Sequence, residues 1–343
     1  MAIRTALALL VAATAIHTAA PGGAQVATDE PASIVIFPRI IADGTRDTII
    51  QLSNTSNAPV AARCWYVDGA PAGFGEALWT VSVFDIMLTQ QQPTNWVASL
   101  GRALDPSEMP CRRSGPDYDC YGAGFDPGAV PAVPIGFTGE MRCVETDVTG
   151  APVSGNHLIG EATLDNVVSG DVAKYSAIGI AGLDLNDGDG TLRLGEEYAA
   201  CPGALVADHL VDGAEVAAVG PGSAIATEVT VVPCTANLET EVPETVIVLF
   251  SVNNEFEQRF SAATAVRCWS SLRLRDINPV FDITVLGTRT AQTRMRPSAA
   301  TASSFLALVD EMQTATPTGP AASASANVYV EGVHADPDLI TLP

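Results

Sequence analysis

Residues 48–67 read TIIQLSNTSNAPVAARCWYV, and this stretch decides the fold class. Two apolar, β-branched runs flank a polar Ser53-Asn54-Thr55-Ser56-Asn57 stretch closed by Pro59. That is the pattern of two strands joined by a turn. Residues 245–269, TVIVLFSVNNEFEQRFSAATAVRCW, repeat it with another Asn-containing turn. Both second strands end in Arg-Cys-Trp, at Arg63-Cys64-Trp65 and Arg267-Cys268-Trp269. Cys and Trp are scarce residues, so the shared tripeptide points to an internal duplication.

Working outward, the order of features repeats. Phe84-Asp85-Ile86 follows the first pair of strands and Phe281-Asp282-Ile283 the second. Residues 139–145 (GEMRCVE) correspond to 304–310 (SFLALVD), and residues 157–168 to 324–331. Short alternating strands, Gly/Pro/Asn punctuation and no long helical period predict an all-β chain. The expected architecture is two tandem antiparallel immunoglobulin-like β-sandwiches. The first spans residues 28–223, with insertions at 101–136 and 184–222, and the second spans 224–343. If each sandwich owns a core, residues 224–343 should fold alone.

Strand alternation assigns faces. Val60, Ala62, Cys64 and Tyr66 share one, taken as the core, which leaves Arg63 and Trp65 outside. Val266, Cys268, Leu272 and Leu274 fall opposite Arg267, Trp269, Arg273 and Arg275. The outer Arg/Trp strip makes Trp65 and Trp269 candidates for a protein- or glycan-binding surface, unless a neighbouring domain covers it.

The amino terminus is a separate matter. A basic start at residues 1–4, an apolar run at 5–16 and a small-residue stretch to Ala27 have the layout of a secretory signal peptide over residues 1–27. Cleavage after Ala20, Ala24 or Ala27 fits equally. Beyond it nothing approaches the roughly 20 apolar residues of a membrane span, so a secreted, periplasmic or surface location is expected. A formal charge of −22 excludes the basic footprint that nucleic acid requires.

Seven cysteines in an exported chain imply disulfides with one thiol left over. Cys111–Cys120 would close a small ring within the 101–136 loop, Cys64–Cys143 would cross the first sandwich, and Cys201–Cys234 would tie the second insertion to the domain boundary. Because Cys143 corresponds to Leu308, Cys268 should remain a free, buried thiol. No C-x-x-C pair supports zinc.

Motifs for catalysis are absent. His157, His209 and His334 lie far apart, and neither H-E-x-x-H nor G-x-S-x-G occurs. One loop has ligand spacing: residues 185–196, LNDGDGTLRLGE, place Asp187, Asp189, Gly190 and Glu196 at the third, fifth, sixth and twelfth positions of a calcium loop. Leu185 stands where the first carboxylate belongs. Calcium is therefore the one cofactor the sequence suggests, with Asp187, Asp189 and Glu196 as its ligands.

The stretches IVIFPRIIADGTRDTIIQLSNTSN, NEFEQRF and VLGTRTAQTRMR resemble a group of exported bacterial proteins of unassigned function with tandem immunoglobulin-like domains. The resemblance implies a fold and an exported location and carries no ligand or catalytic residue. The function expected from all this is non-enzymatic binding or adhesion through protein or glycan contacts. The alternatives are a secreted hydrolase or carbohydrate-active protein, and a structural envelope or filament subunit.

Overall fold

A computed structural model describes residues 26–71, 79–105, 112–114, 117–119, 125–183, 185–215, 223–313 and 322–343. Strand makes up 59% and helix 4%, so the chain is all-β. The expectation of two tandem immunoglobulin-like sandwiches is corrected: the strands are dealt into small sheets arranged as a five-blade β-propeller. These sheets hold six, four, three, five and four strands, and a two-stranded ribbon joins Arg112–Ser114 to Asp117–Asp119.

Long-range pairing causes the difference. Alternation reports which side of a strand is buried, but not which strand lies beside it. Pro202–Leu210, placed by the sequence in an insertion, is an inner strand between Thr290–Pro297 and Tyr329–Val333. Thr191–Leu194, from the same region, pairs with Asp338–Thr341, whose other edge takes Ala236–Asn237 in parallel. A fragment of residues 224–343 would thus lack an inner strand of its five-stranded sheet.

The resemblance between the halves also stops at pairing. The strand of Cys64 lies directly beside that of Cys143, with these two residues opposite each other. In the second half, Ser270–Arg273 pairs instead with Ile225–Pro233, while Leu308 stands between Thr230 and Asn327.

Three apolar clusters fill the interior. One is built mostly from residues 35–177, including Phe37, Ile50, Cys64, Tyr66, Phe84 and Trp96, with Leu308 added from the second half. Another joins Leu205, Ala207 and Val211 to Val248, Phe250, Phe281, Met295 and Phe305. The remaining cluster draws on both halves, joining Ile34, Trp65 and Val144 to Cys201, Val232, Trp269 and Ile340. This shared cluster makes the seam. It is also why Ile34–Ala42 and Phe137–Thr146 are buried along almost their whole length on both faces.

Candidate functional site

The sequence IVIFPRIIA of Ile34–Ala42 interrupts an apolar run with Pro38 and Arg39. Pro38 has no N–H for a ladder, and the register with Phe137–Thr146 shifts between Phe37 and Ile40. At this irregularity Arg39 crosses the seam. Its Nη1 donates to Asp310 Oδ2 at 2.5 Å and its Nη2 to Glu228 Oε2 at 2.6 Å, both on second-half strands. Its backbone is held too: Arg39 N–H donates to the Tyr175 hydroxyl at 3.2 Å, and that hydroxyl donates to Arg39 O at 2.5 Å. Arg39 is only 3% exposed. Burial opposes its charge, but Asp310 and Glu228 outweigh burial and hold the guanidinium more firmly protonated than usual. Ser325 donates a further bond to Asp310.

Above this ion triad opens a cleft of about 510 Å³. Arg39, Ile41, Arg46 and Thr138 come from the first half, and Glu228 with residues 265–267 and 269–272 from the second. A niche of about 50 Å³ on the other side of Arg39 holds Asp171 and Asp310. The larger space is in the size range of ligand sites.

The tryptophans proposed as a surface are corrected. Trp65 is fully buried and Trp269 is 7% exposed, both inside the seam cluster. Two features of the fold bury these tryptophans. The face opposite Cys64 is covered by the other half. At Cys268 the backbone takes φ +65°, which breaks the alternation, so Cys268 and the following Trp269 both turn inward. Trp269 Nε1 donates to Pro38 O at 2.7 Å, which binds the corner to the irregular strand. Gly69 is required beside it, since a Cβ there would stand 2.7 Å from the indole Cε3. Arg63, assigned to the outer strip, pairs with exposed Asp85 at 2.7 Å.

A second polar group lies in the seam. Arg142, 1% exposed, donates to Glu140 Oε1, Pro233 O and Cys234 O. Burial raises the Glu140 carboxyl above the usual range despite the Arg142 partner, and its Oε2 is without a hydrogen bond. Cys268 is a free, buried thiol as expected, raised by burial and by Glu140.

The cysteine pairings Cys64–Cys143 and Cys201–Cys234 form, while Cys111 and Cys120 lie outside the described residues. Among the described residues one group of metal-ligand atoms converges, from Cys201, Cys234 and Asp338, and its two sulfurs are consumed by the disulfide.

The calcium-type loop has a cation of the chain itself beside its carboxylates. Arg193 Nη1 stands 3.8 Å from Asp187, 3.9 Å from Asp189 and 3.7 Å from Glu197, so the loop's carboxylates surround an internal cation. Asp187 and Asp189 also accept the backbone N–H groups of Asp189 and Thr191. Glu196, the expected twelfth-position ligand, is exposed, and its neighbour Glu197 takes the inner place.

The histidines are dispersed, and each has a local partner. His157 Nδ1 lies 2.7 Å from Glu145 Oε1, the geometry of a base with its orienting carboxylate. The adjacent Ser154 Oγ is buried without a hydrogen bond, so no contact delivers it to that base. His334 Nδ1 lies 3.1 Å from Asp338 Oδ2. His209 is buried between Leu210 O and the Thr293 hydroxyl, and burial lowers its pKa.

Sequence reading missed Arg39 and the cleft above it. The signal was one charged residue within nine otherwise apolar positions, which demands a buried counter-charge. Neither a protein-family profile nor a curated protein matches this chain.

Proposed function

We propose that the chain is a non-enzymatic binding protein of the periplasm or cell exterior, and that it takes its partner in the seam cleft. The supporting observation is the cleft itself, walled by both halves and floored by the Arg39–Glu228–Asp310 triad. Two disulfides fit an oxidising compartment, and no described helix is long and apolar enough to cross a membrane. The test is a screen of the full chain on peptide and glycan arrays beside Ser271→Trp, which fills the cleft from its wall. Binding that is lost in the variant is the expected result. Binding that survives Ser271→Trp in a folded variant overturns the reading.

The hydrolase alternative has one supporting feature, the Glu145–His157 pair. Turnover of an ester or glycoside panel that vanishes with His157→Gln would establish it in place of the binding reading.

A further inference from the structure

Away from the cleft, we propose that Cys201, Cys234, His334 and Asp338 form a site for a zinc-type divalent ion, closed by the Cys201–Cys234 disulfide and opened by its reduction. The site shares no residue with the cleft lining, so neither reading depends on the other. Cys201 precedes the strand Pro202–Leu210, Cys234 follows Ile225–Pro233, and Asp338 opens the last strand, Asp338–Thr341. His334 directly follows Tyr329–Val333. The fold thus supplies a convergence that no close cysteine pair in the sequence announces. Both sulfurs and an Asp338 carboxylate oxygen lie within 4.8 Å of one another. His334 Nδ1 stands 3.1 Å from Asp338 Oδ2, and His334 N–H donates to Cys201 O at 2.7 Å, which pins the histidine backbone to the first cysteine.

These separations suit a tetrahedral centre. Nitrogen and oxygen ligands about 2.0–2.2 Å from zinc stand about 3.4 Å apart, close to the spacing of His334 and Asp338. Thiolates about 2.3 Å from the ion stand about 3.8 Å apart. The Cα atoms of Cys201 and Cys234 are 6.6 Å apart, towards the wide end of the roughly 4.4–6.8 Å that disulfides span. Once freed, the sulfurs separate by rotation about their Cα–Cβ bonds. Two thiolates, an imidazole and a carboxylate are ligands that zinc accepts.

The surroundings of Asp338 support the same assignment. Its side chain is 1% exposed, and a carboxylate buried beside a disulfide carries a desolvation cost that an apolar residue would avoid. Its Oδ1 accepts the Thr235 hydroxyl at 3.0 Å and the Ser304 N–H at 2.9 Å, which fixes the group and leaves Oδ2 towards His334. Outer donors orient metal-binding carboxylates in this way. Both cysteines are buried as well, and His334, with its side chain 13% exposed, is the member that meets solvent.

Opening requires a dithiol reductant. One of its thiolates attacks a sulfur of the pair, and its second thiolate displaces the resulting mixed disulfide. Two electrons and two protons pass to Cys201 and Cys234, and the dithiol leaves as its own disulfide. Each thiol then releases its proton to water as its bond to the metal forms.

The experiment treats the full chain with a phosphine, which becomes a phosphine oxide with oxygen from water while the disulfide becomes two thiols. Cobalt(II) is then titrated without air, since tetrahedral cobalt bound to thiolate shows sulfur-to-metal charge transfer and strong visible bands. The reduced chain should develop these bands, the untreated chain should not, and zinc should abolish them by displacement. Cys201→Ser with Cys234→Ser should remove the bands. His334→Gln, at a partly exposed position that leaves the disulfide intact, should weaken cobalt binding about tenfold or more after reduction. A reduced chain without the bands overturns the proposal. So do bands that persist in the double serine variant, or a cobalt affinity that His334→Gln leaves unchanged, which is the outcome for thiolates binding without the site.

Discussion

Replacing Arg39 by Met tests the seam most directly. Met keeps an unbranched apolar stem and removes the guanidinium, so Asp310 and Glu228 lose their shared cation across the two halves. The Asp310 side chain is 4% exposed and that of Glu228 is 18% exposed. Breaking a buried ion pair while leaving its partner costs about 3–5 kcal/mol. Glu228 retains some solvent, so the lower end applies, about 3 kcal/mol. For a chain larger than 250 residues each kcal/mol moves Tm by about 2 °C, which predicts a fall of about 6 °C. Differential scanning calorimetry at neutral pH measures it, and high salt should change it little because the pair is shielded from solvent. The triple variant Arg39→Met, Glu228→Gln, Asp310→Asn discharges the two carboxylates as well and should recover most of the loss. A fall under about 2 °C for Arg39→Met, or a triple variant no more stable than the single, would refute the view that this triad holds the seam.

Removing each disulfide by paired Cys→Ala changes should rank them by the loop they close. Separations of 79 and 33 residues give about 4.5 and about 3.7 kcal/mol in the chain-entropy account, checked by urea unfolding. His209 has a lowered folded pKa, so it withholds a proton that the unfolded chain takes up near its ordinary value of about 6.5. Its stability contribution is present above that pH and is lost as pH falls below it; His209→Gln should flatten the decline in Tm between pH 7 and 5. Calcium at a few millimolar should leave Tm unchanged because Arg193 already serves the acidic loop. Arg193→Gln should make Tm rise with calcium, and the same scan in chelator checks both statements.

How much of this was legible depends on range. The strand character of residues 48–67 and 245–269 came from local composition, and the structure has strands at Arg46–Asn54, Val60–Asp68, Thr245–Asn254 and Arg259–Arg267. The Cys64–Cys143 and Cys201–Cys234 pairs expected from the sequence also form, although seven cysteines allow many pairings that spacing alone does not fix. What failed was strand pairing, and the burial that follows from strands distant in the chain. Trp65 looks external when its strand is read alone, and becomes internal only because Cys201, Val232 and Ile340 arrive against that face. Asp187 and Asp189 have cation-binding spacing, yet whether the cation is calcium or Arg193 depends on where a guanidinium four residues beyond Asp189 folds back. Arg39 shows the converse. A charge inside IVIFPRIIA announces a buried partner, but nothing local says that Glu228 and Asp310 supply it.

The strand Asp338–Thr341 stands in the middle of its three-stranded sheet, between Thr191–Leu194 and Ala236–Asn237. A chain threaded outward from its amino terminus delivers that strand after every other described segment. Until it arrives, Leu192 and Leu194 have no neighbour on that side, and the two flanking strands cannot reach each other through backbone bonds. The molecule therefore has a built-in order of assembly. Most of the described fold can condense before this strand is added, whereas this sheet closes only with its four residues. Without Asp338–Thr341, Thr191–Leu194 and Ala236–Asn237 would each lose this partner.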